Sequence, residues 1–346
     1  MSAKLFKKLH EEKGDATIGI LLLLAVVAAV YFLGGGKGPK LKEGKPVIET
    51  ISRTEEWVTV YAEKGKEYSP SPAIERIVPL TSGEGDDIQA ICSPDGQYLA
   101  FTSDRLGNQD VFVLDLTGPG KAAAQKTFIE ANDFHPAWSP DKESLVFASD
   151  RIGVEKIFRV DLTKFAPKMQ ITRGVGQDKT PCYSLDGRKI VYSSEPATRL
   201  GTPYIWIINL DTNDMTQYAS GYKPSFSPDM KRVLFESKKA GNSDIWILDL
   251  TTGDQLQITS DRSDDFDPAW SPDGELIVFT SNRAGNSDIW VMKSDGSNLT
   301  RITTHPEVDR YPTWSADGHN LYFSSYRNGN YDLFEVAIKV ELIMEK

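Results

Sequence analysis

After residue 34 the apolar positions of the chain come in short runs, and none of useful length follows a helical spacing. Runs such as LIVFTS (276–281), DIWVM (288–292) and LTRIT (299–303) are five or six residues long, alternate or are β-branched, and are bounded by Gly, Asp, Asn and Ser. That pattern predicts β-strands joined by tight turns. One run differs: from Ala16 to Gly36 no residue is charged, and Ile18 to Leu33 is almost wholly Leu, Val, Ile and Ala. At a rise of about 1.5 Å per residue, such a helix covers about 30 Å, the thickness of a membrane's hydrocarbon.

The strands belong to a unit that recurs. Taking the serine before the first turn as the ruler, the copies are Ser93 (CSPDG), Ser139 (WSPDK), Ser184 (YSLDG), Ser227 (FSPDM), Ser271 (WSPDG) and Ser315 (WSADG), spaced by 46, 45, 43, 44 and 44 residues. A period of about 40–45 residues is what a four-stranded propeller blade needs. In the turn, proline presets its second position, aspartate bonds the local backbone and glycine takes positive φ. The second strand is marked by Phe101, Phe147, Tyr192, Phe235, Phe279 and Phe323, and the third by Val111, Ile157, Ile205, Ile245, Ile289 and Leu333. The two stand ten residues apart except in the third copy, where the gap is thirteen, so the 194–203 loop carries an insertion.

The expected fold is therefore all-β: a six-bladed propeller of four-stranded antiparallel blades over residues 76–337, preceded by one transmembrane helix. Six such sheets bury both faces only by packing radially, and closing the ring leaves no exposed terminal blade. The last copy supplies three strands by Val336, and a strand of the missing type, RIVPLT (76–81), stands ahead of the first copy. It is expected to complete the sixth blade; the tail 338–346 is the alternative. Residues 46–75 hold a further strand, EWVTVYAE, and a linker.

The unit P-x-W-S-P-D-G…F-x-S-x-R-x-G-N-x-D-I-W resembles the propeller repeat of the TolB family, bacterial cousins of WD-type propellers. The resemblance implies a periplasmic binding role in a cell-envelope complex, with a protein or peptide partner, an envelope lipoprotein among the candidates. The chain departs from that family in having about 30 residues between tether and ring, too few for a small α/β domain, and a membrane span in place of a cleavable signal. Similar repeats also occur in an oligogalacturonate-lyase family whose propeller carries a histidine-rich metal site.

Charge sharpens the division. The sequence carries a formal net charge of −10. Residues 1–45 hold eight Lys and four Asp/Glu, while the remainder holds 31 basic and 45 acidic residues. An acidic body argues against nucleic acid, and the basic flanks suit anionic lipid headgroups. Residues 1–15 read as a basic head, 16–36 as an uncleaved signal anchor and 37–45 (ending the Gly-rich GGGKGPKLKEGK) as a tether. Four lysines on each side tie the positive-inside count; the short head and long body favour an extracytoplasmic, periplasmic propeller. The alternative is a cleaved signal and a secreted protein, cut at a small-x-small site near Ala28 and Ala29. No cysteine lies near the span, which excludes lipoprotein attachment there. Cys92 and Cys182 fall in different blades and are expected to be free and buried.

Candidate chemistry centres on the axis. Just before the P-x-W proline position stand Gln89, His135, Thr180, Lys223, Asp267 and Tyr311. These residues, preceding the strand nearest the axis, form the candidate partner-binding rim. Three residues before the same position, Asp87, Asp133, Asp178, Asp265 and Asp309 occupy five of six copies, with Gly221 in the fourth. They read either as acceptors of backbone N–H groups at a loop–strand junction or as a ring for a divalent cation such as calcium, or a basic partner segment, near the central channel. No other cofactor is indicated. Periodic Arg105, Arg151, Arg283 and Arg327, with Lys239 in a fourth copy, and Asp110, Asp244, Asp288 and Asp332 are expected to brace loops. His135 and His305 read as exposed loop residues, and no Ser-His-Asp arrangement can be argued, because the repeated serines belong to turns. A binding module is thus expected, and replacing Lys223, Asp267 and Tyr311 is expected to abolish capture without lowering the melting temperature. The rivals are a metal-assisted lyase or hydrolase acting on a saccharide at the mouth, and a purely structural envelope scaffold.

Overall fold

The computed structural model describes residues 71–118, 122–164, 168–197 and 201–344. Among these residues no helix is long and apolar enough to cross a membrane, and the apolar span 16–36 lies outside them, as do the head, the tether and the strand EWVTVYAE. The described strands form six four-stranded antiparallel sheets. Blade one is β2 (Asp87–Cys92), β3 (Tyr98–Ser103), β4 (Asp110–Asp115) and β5 (Ala123–Gln125), hydrogen-bonded in that order. Blades two to five repeat it, starting with β6 (Asp133–Trp138), β10 (Gln177–Tyr183), β14 (Tyr222–Phe226) and β18 (Asp265–Trp270). Each first strand touches the first strands of both neighbouring blades, so these strands form a ring around the axis.

The sixth blade joins the two ends of the ring. Its strands β22 (Asp309–Trp314), β23 (Asn320–Ser325) and β24 (Asp332–Ile338) are completed by β1 (Ile74–Pro79), which pairs antiparallel with β24. Polar contacts extend the clasp: the Leu333 N–H donates to Thr81 Oγ1 at 2.8 Å, Asn330 Nδ2 to the Gly85 carbonyl at 2.6 Å, and the Tyr331 N–H to Asp86 Oδ1 at 2.9 Å. The alternative in which the tail 338–346 supplies the fourth strand is not realised. Residues Val340–Met344 turn into a short helix, α1, whose Ile343 is buried against blades five and six.

The apolar core is six wedges, each drawn from two adjacent blades. Ala100, Val111 and Val113 of blade one pack with Trp138, Leu145, Phe147 and Phe158 of blade two, and Tyr322 and Leu333 of blade six pack with Leu99, Phe101 and Phe112 of blade one. Burial therefore stabilises blades through their neighbours, as a closed repeat requires. The P-x-W tryptophan adds a polar tie: Trp138 Nε1 donates to the Ile91 carbonyl at 3.1 Å and Trp314 Nε1 to the Ala269 carbonyl at 3.3 Å.

The S-P-D-G turn has a local cause. In Ser271–Gly274 the serine hydroxyl donates to Asp273 Oδ1 at 2.5 Å and accepts the Leu276 N–H at 2.9 Å, while Gly274 takes φ of +75°. The same serine–aspartate bond recurs in all six copies. Two copies lack the glycine, and there Lys142 and Met230 adopt φ of +58°, a conformation that costs a side chain about 1–2 kcal/mol.

Candidate functional site

Every innermost strand carries the same irregularity. In blade one, Ile88 faces Thr102 and Ile91 faces Ala100, so Gln89 and Ala90 together oppose the single residue Phe101. Equivalent shifts occur in the other five blades, each opposite the aromatic marker of the second strand. This is a β-bulge, which re-aims a side chain out of the pleat. The re-aimed residues are the six rim positions: Gln89 (φ +59°), His135 (+53°), Thr180 (+50°), Lys223 (+49°), Asp267 (+57°) and Tyr311 (+56°). None is glycine, so every blade holds a left-handed, side-chain-bearing residue at the axis. Such positions cost about 1–3 kcal/mol each and persist where the surroundings impose them. The following residue is proline in five blades. A proline there removes an N–H that the bulge would leave without a ladder partner.

The rim residues lie inside the strands, third from the start in β2, rather than in loops ahead of them as the sequence reading expected. All six converge on one cavity of about 170 Å³, whose wall is the rim residue, the residue after it and the next in each of the six strands. The structure thus brings these six together as the lining of a central channel.

The lining is uneven. On one side, Gln89 Nε2 meets His135 Nε2 at 2.8 Å, while Gln89 Oε1 accepts from Thr102 Oγ1 at 3.1 Å and from the His135 N–H at 3.2 Å. Because Oε1 is the acceptor in both, Nε2 is the amide nitrogen, and it donates to the imidazole; a neutral His135 then carries its proton on Nδ1. Burial, with Lys223 and Lys179 adding to it, pushes the His135 pKa down to about 3, so the ring is neutral. Thr180 Oγ1 shares a hydrogen bond of 2.7 Å with Ser193 Oγ.

The other side is charged. Lys223 Nζ is ion-paired with Asp267 Oδ1 and lies 4.5 Å from the Tyr311 ring centre. Arg310 Nε is 3.6 Å from Asp267 Oδ2, its guanidinium 4.6 Å from the Phe266 ring and 4.9 Å from Tyr311. Glu236 Oε2 accepts the Asp267 N–H at 2.8 Å, and Thr280 Oγ1 donates to Asp267 Oδ2 at 3.3 Å. Burial holds the Lys223 ammonium down to about 8, opposed by Glu236 and reinforced by Arg310; burial also raises the Glu236 carboxyl. Asp267 is 5% exposed and holds Lys223, Arg310 and Thr280 in place. Replacing Lys223 or Asp267 therefore breaks a buried pair, which corrects the expectation that it leaves stability untouched.

The five aspartates of the second candidate set do not line this cavity. Two residues before each rim position, Asp87, Asp133, Asp265 and Asp309 are buried and bonded to Arg105 (2.5 Å), Arg151 (2.8 Å), Arg283 (2.6 Å) and Arg327 (3.4 Å) of the same blade. Blade three has Pro196 where the arginine would stand, and there Asp178 pairs at 2.8 Å with Lys156 of blade two. In blade four a Cβ at Gly221 would lie 2.5 Å from the Glu236 carbonyl oxygen and from the Phe235 ring, and Lys239 turns instead to Gln255 Oε1 at 2.5 Å. These carboxylates are committed to guanidinium and ammonium groups within the fold. The third-strand aspartates face them across the seams: Asp87 raises the Asp332 pKa and Asp309 that of Asp288, each behind the larger effect of burial. Asp87 Oδ1, Asp288 Oδ1 and Asp332 Oδ1 are buried without a hydrogen-bond partner.

One histidine expectation changes: His135 belongs to a strand and faces the channel rather than lying exposed in a loop. His305 is in a loop outside the channel lining, half-buried, its Nδ1 accepting the Glu307 N–H at 3.2 Å. Both cysteines are free and half-buried. Among the described residues no three His, Cys, Asp or Glu side chains converge as metal ligands. His135 is the one histidine in the channel wall and its Nε2 is engaged by Gln89, so these residues do not fit a histidine-rich metal site.

A second ring was missed from sequence: Thr102, Ser193, Glu236, Thr280 and Ser324, each directly after the aromatic marker of the second strand, with Ala148 in blade two. Their signal was a polar residue inside an otherwise buried apolar run, as in VLFES and LYFSS.

Comparison with known proteins agrees with this architecture. The family model described as the TolB beta propeller domain matches residues 216–341. No curated protein sequence matches the chain. Among solved structures, a protein of Agrobacterium tumefaciens assigned as TolB superposes with a TM-score of 0.61 at 21% identity, covering 79% of this chain and 99% of its own. TolB from Acinetobacter baumannii gives 0.57 at 18%, covering 73% of this chain, which spans 63% of that protein. An oligogalacturonate lyase in complex with manganese gives 0.56 at 16%, covering 88% and 99%. At these identities the likeness establishes the fold. The chain is a six-bladed propeller similar to those of TolB proteins.

Proposed function

We propose that the chain is a membrane-tethered, extracytoplasmic propeller that binds a protein or peptide at its central channel. In this reading residues 16–36 are an uncleaved signal anchor, 37–45 a tether and 46–75 a connecting segment that carries the 76–337 propeller away from the bilayer. The observation that carries the binding role is the set of six left-handed rim residues. One backbone geometry is repeated six times at a conformational cost, and it presents six different side chains to a single cavity. A purely structural hub would be served by glycine, which occupies that region of φ without strain. The resemblance to TolB adds the envelope as setting and a lipoprotein as a candidate partner. The saccharide-lyase reading finds less support, since the channel residues do not fit the metal site it needs.

The test is site-specific photocrosslinking in native cells. A benzophenone side chain at Tyr311 is expected to trap one discrete partner, whereas the same group at Asp273, in a turn at the opposite end of its strand, traps none. Equal yields from both positions, or no adduct at Tyr311, would remove the channel as the binding face. Carbonate-resistant membrane association that is lost on deleting residues 16–36 tests the anchor.

A further inference from the structure

Among the channel-lining residues, His135 Nδ1, Ser225 Oγ and Asp267 Oδ1 are buried without a hydrogen-bond partner, and Asp267 Oδ1 has Lys223 as its ion-pair partner. Arg310 Nε, beside Tyr311, is buried without one as well. The Gln89 amide fixes the imidazole proton on Nδ1, so His135, Ser225 and Arg310 each have a hydrogen to give. Buried donors of this kind are costly unless a ligand meets them.

The charged cluster at the channel sets Lys223 and Arg310 against Asp267 and Glu236, while Lys179, which also bears on His135, is ion-paired with Glu155 and Glu195. Lys223 and Arg310 share the Asp267 carboxylate, and Glu236 accepts the Asp267 N–H. The guanidinium of Arg310 is fixed in orientation by Phe266 and Tyr311 and keeps 32% of its side-chain surface exposed. A planar fork held in this way matches a carboxylate in two-point geometry, and Lys223 over the same tyrosine ring adds a second positive charge. A cavity of about 170 Å³ takes a chain end or a side chain, not a folded module.

We propose that the channel selects a carboxylate-bearing peptide segment, held by Arg310 and Lys223, with His135 and Ser225 donating to its peptide carbonyls. This rests on the peptide-binding reading above and names the chemistry it recognises. The carboxylate has two possible sources, a free C-terminus and an acidic side chain.

Four N-acetylated Gly/Ser hexapeptides separate the possibilities when titrated calorimetrically into the full-length chain. One ends in a free carboxylate, one is C-amidated, one is amidated with a central glutamate, and one is amidated with a central lysine. The expected result is that at least one carboxylate-bearing peptide binds tenfold or more tightly than the neutral amide, with the lysine peptide weakest. The stronger of the two acidic peptides identifies the source. Arg310→Lys keeps the charge but loses the fork, and should cost the acidic peptides about tenfold while leaving the amide unchanged. Ser225→Ala should weaken all four by a similar, smaller factor, and melting curves check that both variants fold. If the amide or lysine peptide binds as tightly as the acids, carboxylate selection is wrong while peptide binding stands. If no peptide binds and trigalacturonate does, both readings fail. If none of the five binds, the carboxylate proposal is overturned, and crosslinking from Tyr311 alone decides whether the face docks a folded protein.

Discussion

Stability of this propeller should rise on mild acidification, and Asp332→Asn isolates the reason. Asp332 is 2% exposed at the seam where blade six meets blade one. Its carboxyl is pushed up to about 6, first by burial and then by Asp87, while Asn328 and Arg105 pull the other way. In the unfolded chain the group ionises near its ordinary value of 3.8. Between about pH 4 and pH 6 the folded state therefore binds more protons than the unfolded one, so stability falls as pH rises through that window and is level above it. A shift of about two units corresponds to about 3 kcal/mol at about 1.4 kcal/mol per unit, and screening by water at the seam halves it to about 1.5 kcal/mol. The asparagine removes the charge and still accepts from Asn328 Nδ2, which lies 3.2 Å from Asp332 Oδ2. At about 2–4 °C per kcal/mol for a domain of this size, the variant should melt about 3–6 °C higher than wild type at pH 8 and about half as much higher at pH 5, the middle of the window. Differential scanning calorimetry across pH 4.5–8.5 reads both numbers. An equal shift at the two pH values, or a lower melting temperature at pH 8, would refute the assignment of a surplus buried carboxylate to this seam.

Three further perturbations test other parts of the reasoning. Met230→Gly restores the missing turn glycine at φ +58° and should stabilise by about 0.5–1 kcal/mol in urea unfolding without touching the channel. Thr180→Asn replaces a β-branched residue at φ +50° with one that tolerates the left-handed region, and should stabilise by a similar amount while altering ligand preference; a loss above about 1 kcal/mol would show that the Ser193 hydrogen bond outweighs the strain. Lys156→Met leaves Asp178 buried and unpaired and should cost about 3–5 kcal/mol, with the Asp178→Asn double variant recovering most of it; a double variant as unstable as the single would disprove the pairing.

The fold was legible because each blade repeats its turn chemistry and its aromatic marker, and a closed ring is the arrangement that buries both faces of every sheet. The site was legible only in part. The proline of P-x-W located the axis, but nothing in a local pattern announces a bulge, so the rim residues read as loop residues when they lie within the strands. The aspartates three residues before the proline were open to two readings, backbone acceptors or a cation or basic-partner ring, for a related reason. Their partners are the arginines 18 residues later, a spacing set by one hairpin and invisible to short-range periodicity. Arg310 carried no repeat signature at all. Its neighbours in register are Ile88, Phe134, Lys179, Tyr222 and Phe266, and only the fold stacks it against Phe266 and Tyr311.

The departures from the repeat follow two different rules. At the seams they compensate: where blade three lacks its arginine, blade two supplies Lys156 in place of the usual aspartate, and where blade four lacks its aspartate, a glycine avoids a clash and Lys239 finds Gln255. Each change is matched by another because a buried charge must be paired. At the rim the backbone is held constant through six left-handed residues while the side chains range from threonine to lysine and tyrosine, and His135 Nδ1 and Asp267 Oδ1 are buried without a hydrogen-bond partner. Folding accounts for the first kind of variation and not for the second. On the binding role proposed above, the rim gives up stability for recognition, and ligand chemistry should track rim substitutions far more closely than seam substitutions of equal energetic cost.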